Sequence, residues 1–225
     1  EINYDFGEGV GCGKPSCGPL CDCARFLEIW NLVFTQYDQD KEGRRTLLPR
    51  PNIDTGMGLE RTAMVLQGKT TAYEADILAP IVARVSELSN KTYGQDKTID
   101  RAIRVAAEHS RAVAFLISDG VTPGNDGRGY VLRRILRRAA LFGRKLGIKE
   151  PFLAEVASTV TARMGHVYPE LLANRDFILR VINLEEERFE QALDAGLNWL
   201  DRVIEKTRSS SARKISGNDV FMLYD

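Results

Sequence analysis

Past position 23 the chain contains no cysteine, and over its whole length it has only two histidines and no excess of either charge. Lys plus Arg and Asp plus Glu both total 31. No global field therefore draws in nucleic acid or a membrane surface, and any electrostatic partner must be met by a local patch. No apolar run approaches the roughly 20 residues that span a bilayer, which excludes a helical membrane protein. The opening Glu1-Ile2-Asn3-Tyr4-Asp5 has neither a basic stretch nor an apolar one, so no signal peptide is expected and a cytoplasmic location is. It also lacks an initiator Met, so the chain is expected to be a piece of a larger protein. With 44% hydrophobic and 28% charged residues, the composition is that of an ordinary globular protein. Collagen, a coiled-coil rod and a disordered tail are excluded, and 225 residues allow one or two domains.

All four cysteines, Cys12, Cys17, Cys21 and Cys23, fall within twelve residues, in the Gly- and Pro-rich loop GCGKPSCGPLCDC. A secreted disulfide scaffold would spread its cysteines to staple distant loops. A loop of this kind can instead fold back and point several thiolates at one spot, and four sulfurs close a tetrahedral site that suits Zn2+. The spacing C-x4-C-x3-C-x-C is not the familiar paired C-x2-C, so reduced thiols in a surface loop and a redox or disulfide role stay open.

Residues 1–24 read as a strand followed by the Cys loop, and RFLEIWNLVFTQY (25–37) reads as a strand rich in aromatic and β-branched residues. DQDKEG (38–43) has hairpin-turn chemistry, and a short segment, 44–48, returns from it. Pro49-Arg50-Pro51 must be extended. Residues 59–67 read as a helix stopped by Gly68. Beyond this point apolar residues recur at three and four. Helices are predicted over 75–89, 98–118, 129–146, 151–164 and 175–206, with a Gly/Pro loop at 119–127. RSSSARK (208–214) is polar and expected to be mobile, and an apolar segment, 220–224, follows. The fold class is thus α+β: a mixed region over 1–70 and an all-α domain over 71–225.

NIDTGMGLERTAMVL (52–66) runs from strand through paired glycines into helix. Glycine belongs where a Cβ would collide with a ligand. Arg61, in the first turns of the helix, offers a guanidinium that can grip phosphate or stack on a base. Asp54 can accept hydrogen bonds from a ligand ammonium. Spacing alone fits a tight strand-to-helix turn with a surface-paired Arg61 equally well. Between Arg128 and Lys149 stand six Arg, two Lys and no acid. Arg133, Arg134, Arg137 and Arg138 repeat at i and i+4, with Val131, Leu132, Ile135, Leu136 and Ala139 expected on the opposite side. The stripe can track phosphates, or it can be a solvated face paired to acids such as Glu185–Glu187. His109 is expected to be packed, His166 to lie at a helix end, and Trp30 and Trp199 to be filler.

PNIDTGMGLER resembles the third signature motif of the class II aminoacyl-tRNA synthetases. With RFLEIWNLVF before it and SDGVTPGNDGRGYVLRRILRR after it, the chain is similar to the alanyl-tRNA synthetase family in particular, out to FMLYD at 221–225. The resemblance implies the C-terminal part of the class II antiparallel sheet followed by a helical tRNA-recognition domain. It implies ATP-dependent activation of alanine to alanyl-adenylate and transfer to tRNA(Ala). Arg61 would contact the ATP γ-phosphate and adenine, Gly56 and Gly58 would floor the site, and Asp54 would hold the alanine ammonium. Glu28 would serve Mg2+ and Asn31 the substrate. Three apart on a strand they face opposite sides, so one site takes both only if the strand is bulged or twisted. Asn125 and Asp225 match the pair that reads the G·U wobble of the acceptor stem, and the arginines of the stripe would contact the tRNA. The first two signature motifs are expected upstream of Glu1, and the chain alone is expected not to form adenylate. A non-catalytic synthetase-like RNA-binding module and a structural zinc module are the alternatives.

Overall fold

The computed structural model describes residues 1–209 and 214–224, so most of the polar segment at 208–214, and Asp225, lie outside the described residues. The chain divides into two compact units, Glu1–Ala79 and Pro80–Asp225.

The first unit is a three-stranded antiparallel sheet in the order β1 (Ile2–Asp5), β2 (Phe26–Gln39), β3 (Arg45–Met57), followed by helix α1 (Leu59–Leu66). Asp40 builds the β2–β3 turn. Its Oδ1 accepts from the amides of Glu42 (3.0 Å) and Arg44 (2.9 Å), and Gly43 takes φ +83°, a conformation side chains rarely adopt. The returning strand is much longer than the expected 44–48, and the Pro-Arg-Pro segment lies inside it. The ladder accommodates both prolines by breaking register there: Thr35 faces Asn52 and Tyr37 faces Leu47, so four residues of β3 bulge opposite Gln36 alone. Prolines cannot donate to a ladder and are confined to such bulges and to edges. A second irregularity lies between β1 and β2. Ile2 faces Trp30 but Asn3 faces Glu28, which leaves Ile29 as an extra residue on β2.

The second unit is helical: α2 (Ala79–Ser89), α3 (Lys97–Ser118), α4 (Gly127–Lys145), α5 (Leu153–Met164), α6 (Pro169–Ala173), α7 (Arg175–Ser209) and α8 (Gly217–Tyr224). Helix α2 begins four residues later than its apolar pattern suggests, because Pro80 is tolerated only in a first turn. A single 3-10 turn at Ala72–Glu74 precedes it. Asp96 caps α3 by accepting from the amides of Thr98 (2.8 Å) and Ile99 (2.9 Å). Ile103, Ala106, Ala107, Ala114 and Ile117 of α3, Leu132 and Leu136 of α4, Val156 and Val160 of α5, and Ile178 and Ile182 of α7 form the core. Small residues let the helices approach closely. A Cβ on Gly143 would stand 2.1 Å from the ring of Phe152, so that ring lies directly on the α4 backbone. His109 is half-buried on α3 and His166 is exposed just past α5. Among the described residues no helix is long and apolar enough to cross a membrane.

Candidate active site and nucleic-acid interface

The bulge at Ile29 decides what one face of the sheet can do. On a regular strand Glu28 and Asn31 would point to opposite faces. The extra residue restores them to one face, where Asn31 Nδ2 donates to Glu28 Oε1 at 2.9 Å. Asn31 stands directly across from Gly56, and Val33 across from Asp54, so these four share that face. Arg61 joins from α1: its Nη1 donates to the Glu28 carbonyl at 2.7 Å and lies 4.0 Å from Glu28 Oε2. The two glycines have different uses. A Cβ on Gly58 would meet the Arg61 stem at 3.2–3.4 Å, so this glycine makes room for Arg61 to fold back toward β2. A Cβ on Gly56 would meet nothing within 4 Å. Gly56 thus leaves open floor between the Asp54 carboxylate on one side and the Glu28–Asn31–Arg61 cluster on the other. Arg61 is about half exposed (52%), and its remaining donors are free to take an anion. On the other face Trp30 Nε1 donates to Thr55 Oγ1.

The cysteine sulfurs converge. All four Sγ atoms lie within 4.8 Å of one another, with Cys12–Cys21 at 3.5 Å and Cys17–Cys23 at 3.7 Å, and none is in a disulfide. A tetrahedron with Zn–S bonds of about 2.3 Å has sulfurs about 3.8 Å apart, so the donor set and its spacing fit zinc. The backbone amide of Lys14 lowers the Cys12 thiol and that of Arg25 lowers Cys23. Burial raises Cys17, and hydrogen bonds from Cys12 and Cys23 push Cys21 up to about 12. At the base of this loop Arg25 grips Asp5 through Nε (2.7 Å) and Nη2 (2.8 Å), and this pair holds the Asp5 carboxyl down at about 2. The sequence gives no hint of that clasp, because its members are twenty positions apart, Asp5 at the end of β1 and Arg25 in the turn just before β2.

In the helical unit the four arginines of the stripe separate into two pairs. Arg137 donates to Glu185 Oε1 from Nε at 2.9 Å and lies 2.8 Å from the same oxygen through Nη2. Arg133 Nε lies 3.0 Å from that oxygen, in ion-pair contact without hydrogen-bond alignment. Glu185, on α7, is only 3% exposed. Further along the same flank Arg144 pairs with Asp194 at 2.7 Å. Arg134 and Arg138 instead point to solvent, over the rings of Tyr130 and Phe142, and Lys145 lies 4.7 Å from the Phe142 centroid. Val131, expected on the buried side, is 52% exposed and lies on this open row; Leu132, Leu136 and Ala139 do face the core. Asn125 sits exposed in the loop before α4, and its Oδ1 accepts from Arg133 Nη1. Asp225 falls outside the described residues. Along the chain Glu185 is one of three consecutive acids, Glu185–Glu187, with nothing to set it apart. Its role as a double anchor depends on α7 returning beside α4.

The family model for tRNA synthetases class II (A) matches residues 1–225. Curated relatives are similar along the whole chain. The alanine–tRNA ligase of Dehalococcoides mccartyi strain BAV1 is 53% identical over 225 residues, that of Desulfosudis oleivorans 51% and that of Thermoanaerobacter sp. strain X514 47%. In each case the match covers all of this chain and 26% of the relative, so the chain spans about a quarter of the length of these relatives.

Proposed function

Because the chain belongs to the tRNA synthetases of class II (A), we propose that it is a segment of a cytoplasmic alanine–tRNA ligase. In this reading the sheet face carries part of the alanine-activating site and the helical unit carries the contact to the tRNA(Ala) acceptor stem. The observation that carries the proposal is the uncovered floor at Gly56 between Asp54 and the Glu28–Asn31–Arg61 cluster. Alanine lies on that floor with its ammonium against the Asp54 carboxylate. The adenine and γ-phosphate of ATP meet the Arg61 guanidinium, and Gly58 lets that side chain lie flat along the site. The alanine carboxylate attacks the α-phosphate of ATP, a P–O bond forms, and pyrophosphate leaves with the electron pair of the broken bond. The residues work by positioning and by offering charge where charge develops. Glu28 supplies one carboxylate, which suits Mg2+, an ion held by one or two carboxylates together with substrate phosphates. When bound, Mg2+ neutralises phosphate charge. The cysteine cluster holds Zn2+ as a structural cross-link of its loop.

In the second step a hydroxyl of the terminal ribose of the tRNA attacks the alanyl carbonyl, an ester bond forms, the anhydride bond to the α-phosphate breaks, and AMP leaves with its electron pair while the hydroxyl proton is lost. Asn125 reads the G·U pair from the shallow minor groove, where exocyclic groups and 2′-hydroxyls are within reach of short polar side chains. Asp225 is its partner in this reading. Arg134 and Arg138, open to solvent along one row, follow the phosphates, and Arg133 and Arg137 belong to the same interface through Glu185.

The test is alanine-dependent ATP–pyrophosphate exchange in a full-length ligase that contains this segment. Asp54→Asn raises the KM for alanine, and Arg61→Ala lowers kcat/KM for ATP by about 100-fold, the typical loss of one preorganised charge donor. Undiminished exchange in both variants overturns the reading. So does a protein that binds tRNA but exchanges no pyrophosphate with alanine.

A further inference from the structure

The contact from Arg133 to Asn125 gives the loop before α4 a fixed direction. We propose that Arg133, anchored by the buried Glu185, is a positioning residue that sets which edge of the Asn125 amide faces an RNA minor groove, and so determines specificity. The inference rests on reading Asn125 as an RNA-contacting residue.

Arg133 is the only one of the four stripe arginines that reaches both ways. Its Nη1 donates to Asn125 Oδ1, while its Nε lies 3.0 Å from Glu185 Oε1. Glu185 is held in turn by Arg137 on the same oxygen and is almost fully buried. The guanidinium is therefore clamped from the α7 side, and its other end directs the amide. An asparagine oxygen has two lone pairs. With one given to Arg133, the amide presents one remaining acceptor and two N–H donors in a set direction. An amide free to turn over could offer donor or acceptor to either base of a pair, and the minor groove already carries a degenerate code. A planar guanidinium can donate to Asn125 at one end while its other end stays in ion-pair contact with Glu185, whereas a lysine ammonium on a flexible stem is a single point charge that does not serve both at fixed orientation. The arginines that face solvent, Arg134 and Arg138, make no such contact to Asn125 and remain suited to phosphate.

The experiment measures kcat/KM for aminoacylation of acceptor-stem minihelices carrying G·U or G·C, in a full-length ligase containing this segment. Asn125→Ala sets the largest loss of the G·U/G·C ratio. Arg133→Lys, which keeps the charge, lowers that ratio by about fivefold to tenfold, within the range expected for one base contact. Glu185→Gln lowers it in the same direction, and Arg133→Lys adds nothing to the ratio in the Asn125→Ala background. If Glu185→Gln lowers the melting temperature, Arg133→Lys alone decides. An unchanged ratio in Arg133→Lys, with Asn125→Ala still lowering it, overturns the positioning role and leaves the RNA reading intact. An equal loss on both stems makes Arg133 a phosphate contact and also overturns it. A ratio that Asn125→Ala leaves unchanged removes both.

Discussion

Glu186 provides the sharpest test of how this fold is held together. It lies on α7 with no exposed surface, and its two oxygens accept from the amides of Phe152 (3.2 Å) and Leu153 (3.0 Å), the start of α5. Those bonds favour the ionised carboxylate, but burial outweighs them, with help from Glu190 and Glu187, and raises the group from its ordinary 4.5 to about 7. The folded chain therefore keeps this proton to a higher pH than the unfolded chain does. The stabilisation is complete below about pH 4.5 and is lost as pH rises through about 7. A shift of this size, at about 1.4 kcal/mol per unit, corresponds to about 3 kcal/mol. Glu186→Gln removes the titration while keeping one carbonyl oxygen as acceptor. It should cost about 1 kcal/mol at pH 5 for the lost second acceptor. By pH 8 the wild type carries a buried charge, and the variant should be the more stable of the two. His109 acts in the opposite sense: burial lowers it, so its contribution fades as pH falls below its ordinary 6.5. It does so in both proteins and cancels in the difference. Urea unfolding of both proteins at pH 5, 6, 7 and 8 measures that difference. A gap that stays constant across the four pH values would refute the reasoning.

Two further outcomes are expected. Gly143→Ala drives a methyl into the Phe152 ring on the α4 backbone and should destabilise the helical unit by about 1–3 kcal/mol, measured as a lowered urea midpoint; an unchanged midpoint would show that the ring moves freely. The reduced chain should bind one Zn2+ with release of protons, and replacing Cys17 and Cys21 by Ser should abolish this. Metal content after dialysis and the cobalt-substituted thiolate spectrum measure it, and a chain that retains no metal would refute the assignment.

Much of the architecture could be read along the chain, because local interactions produce it. The aromatic and β-branched run at 25–37, the Asp40–Gly43 turn, and the three-and-four spacing of apolar residues in α3 and α4 each depend on neighbours within a few positions. The cysteine cluster was readable for the same reason: four thiols within twelve residues of flexible loop need little chain closure to meet. The long β3 was not readable. Its prolines argue against a strand, and only the pairing with β2 shows that they sit in a bulge.

The residue types of the site, Asp54, Gly56, Gly58 and Arg61, were set out by sequence, as were the basic residues of α4. Their use was decided elsewhere in the molecule. Glu28 meets Asn31 because β1, from the far side of the Cys loop, pairs with β2 one residue short and forces Ile29 out of register. Arg133 and Arg137 bind Glu185 while Arg134 and Arg138 face water because α7 packs along one flank of α4 only. Periodicity and turn chemistry specify where a helix or strand runs. Register and rotation about its axis are set by the partner it packs against, and that partner is tens of residues away in the chain.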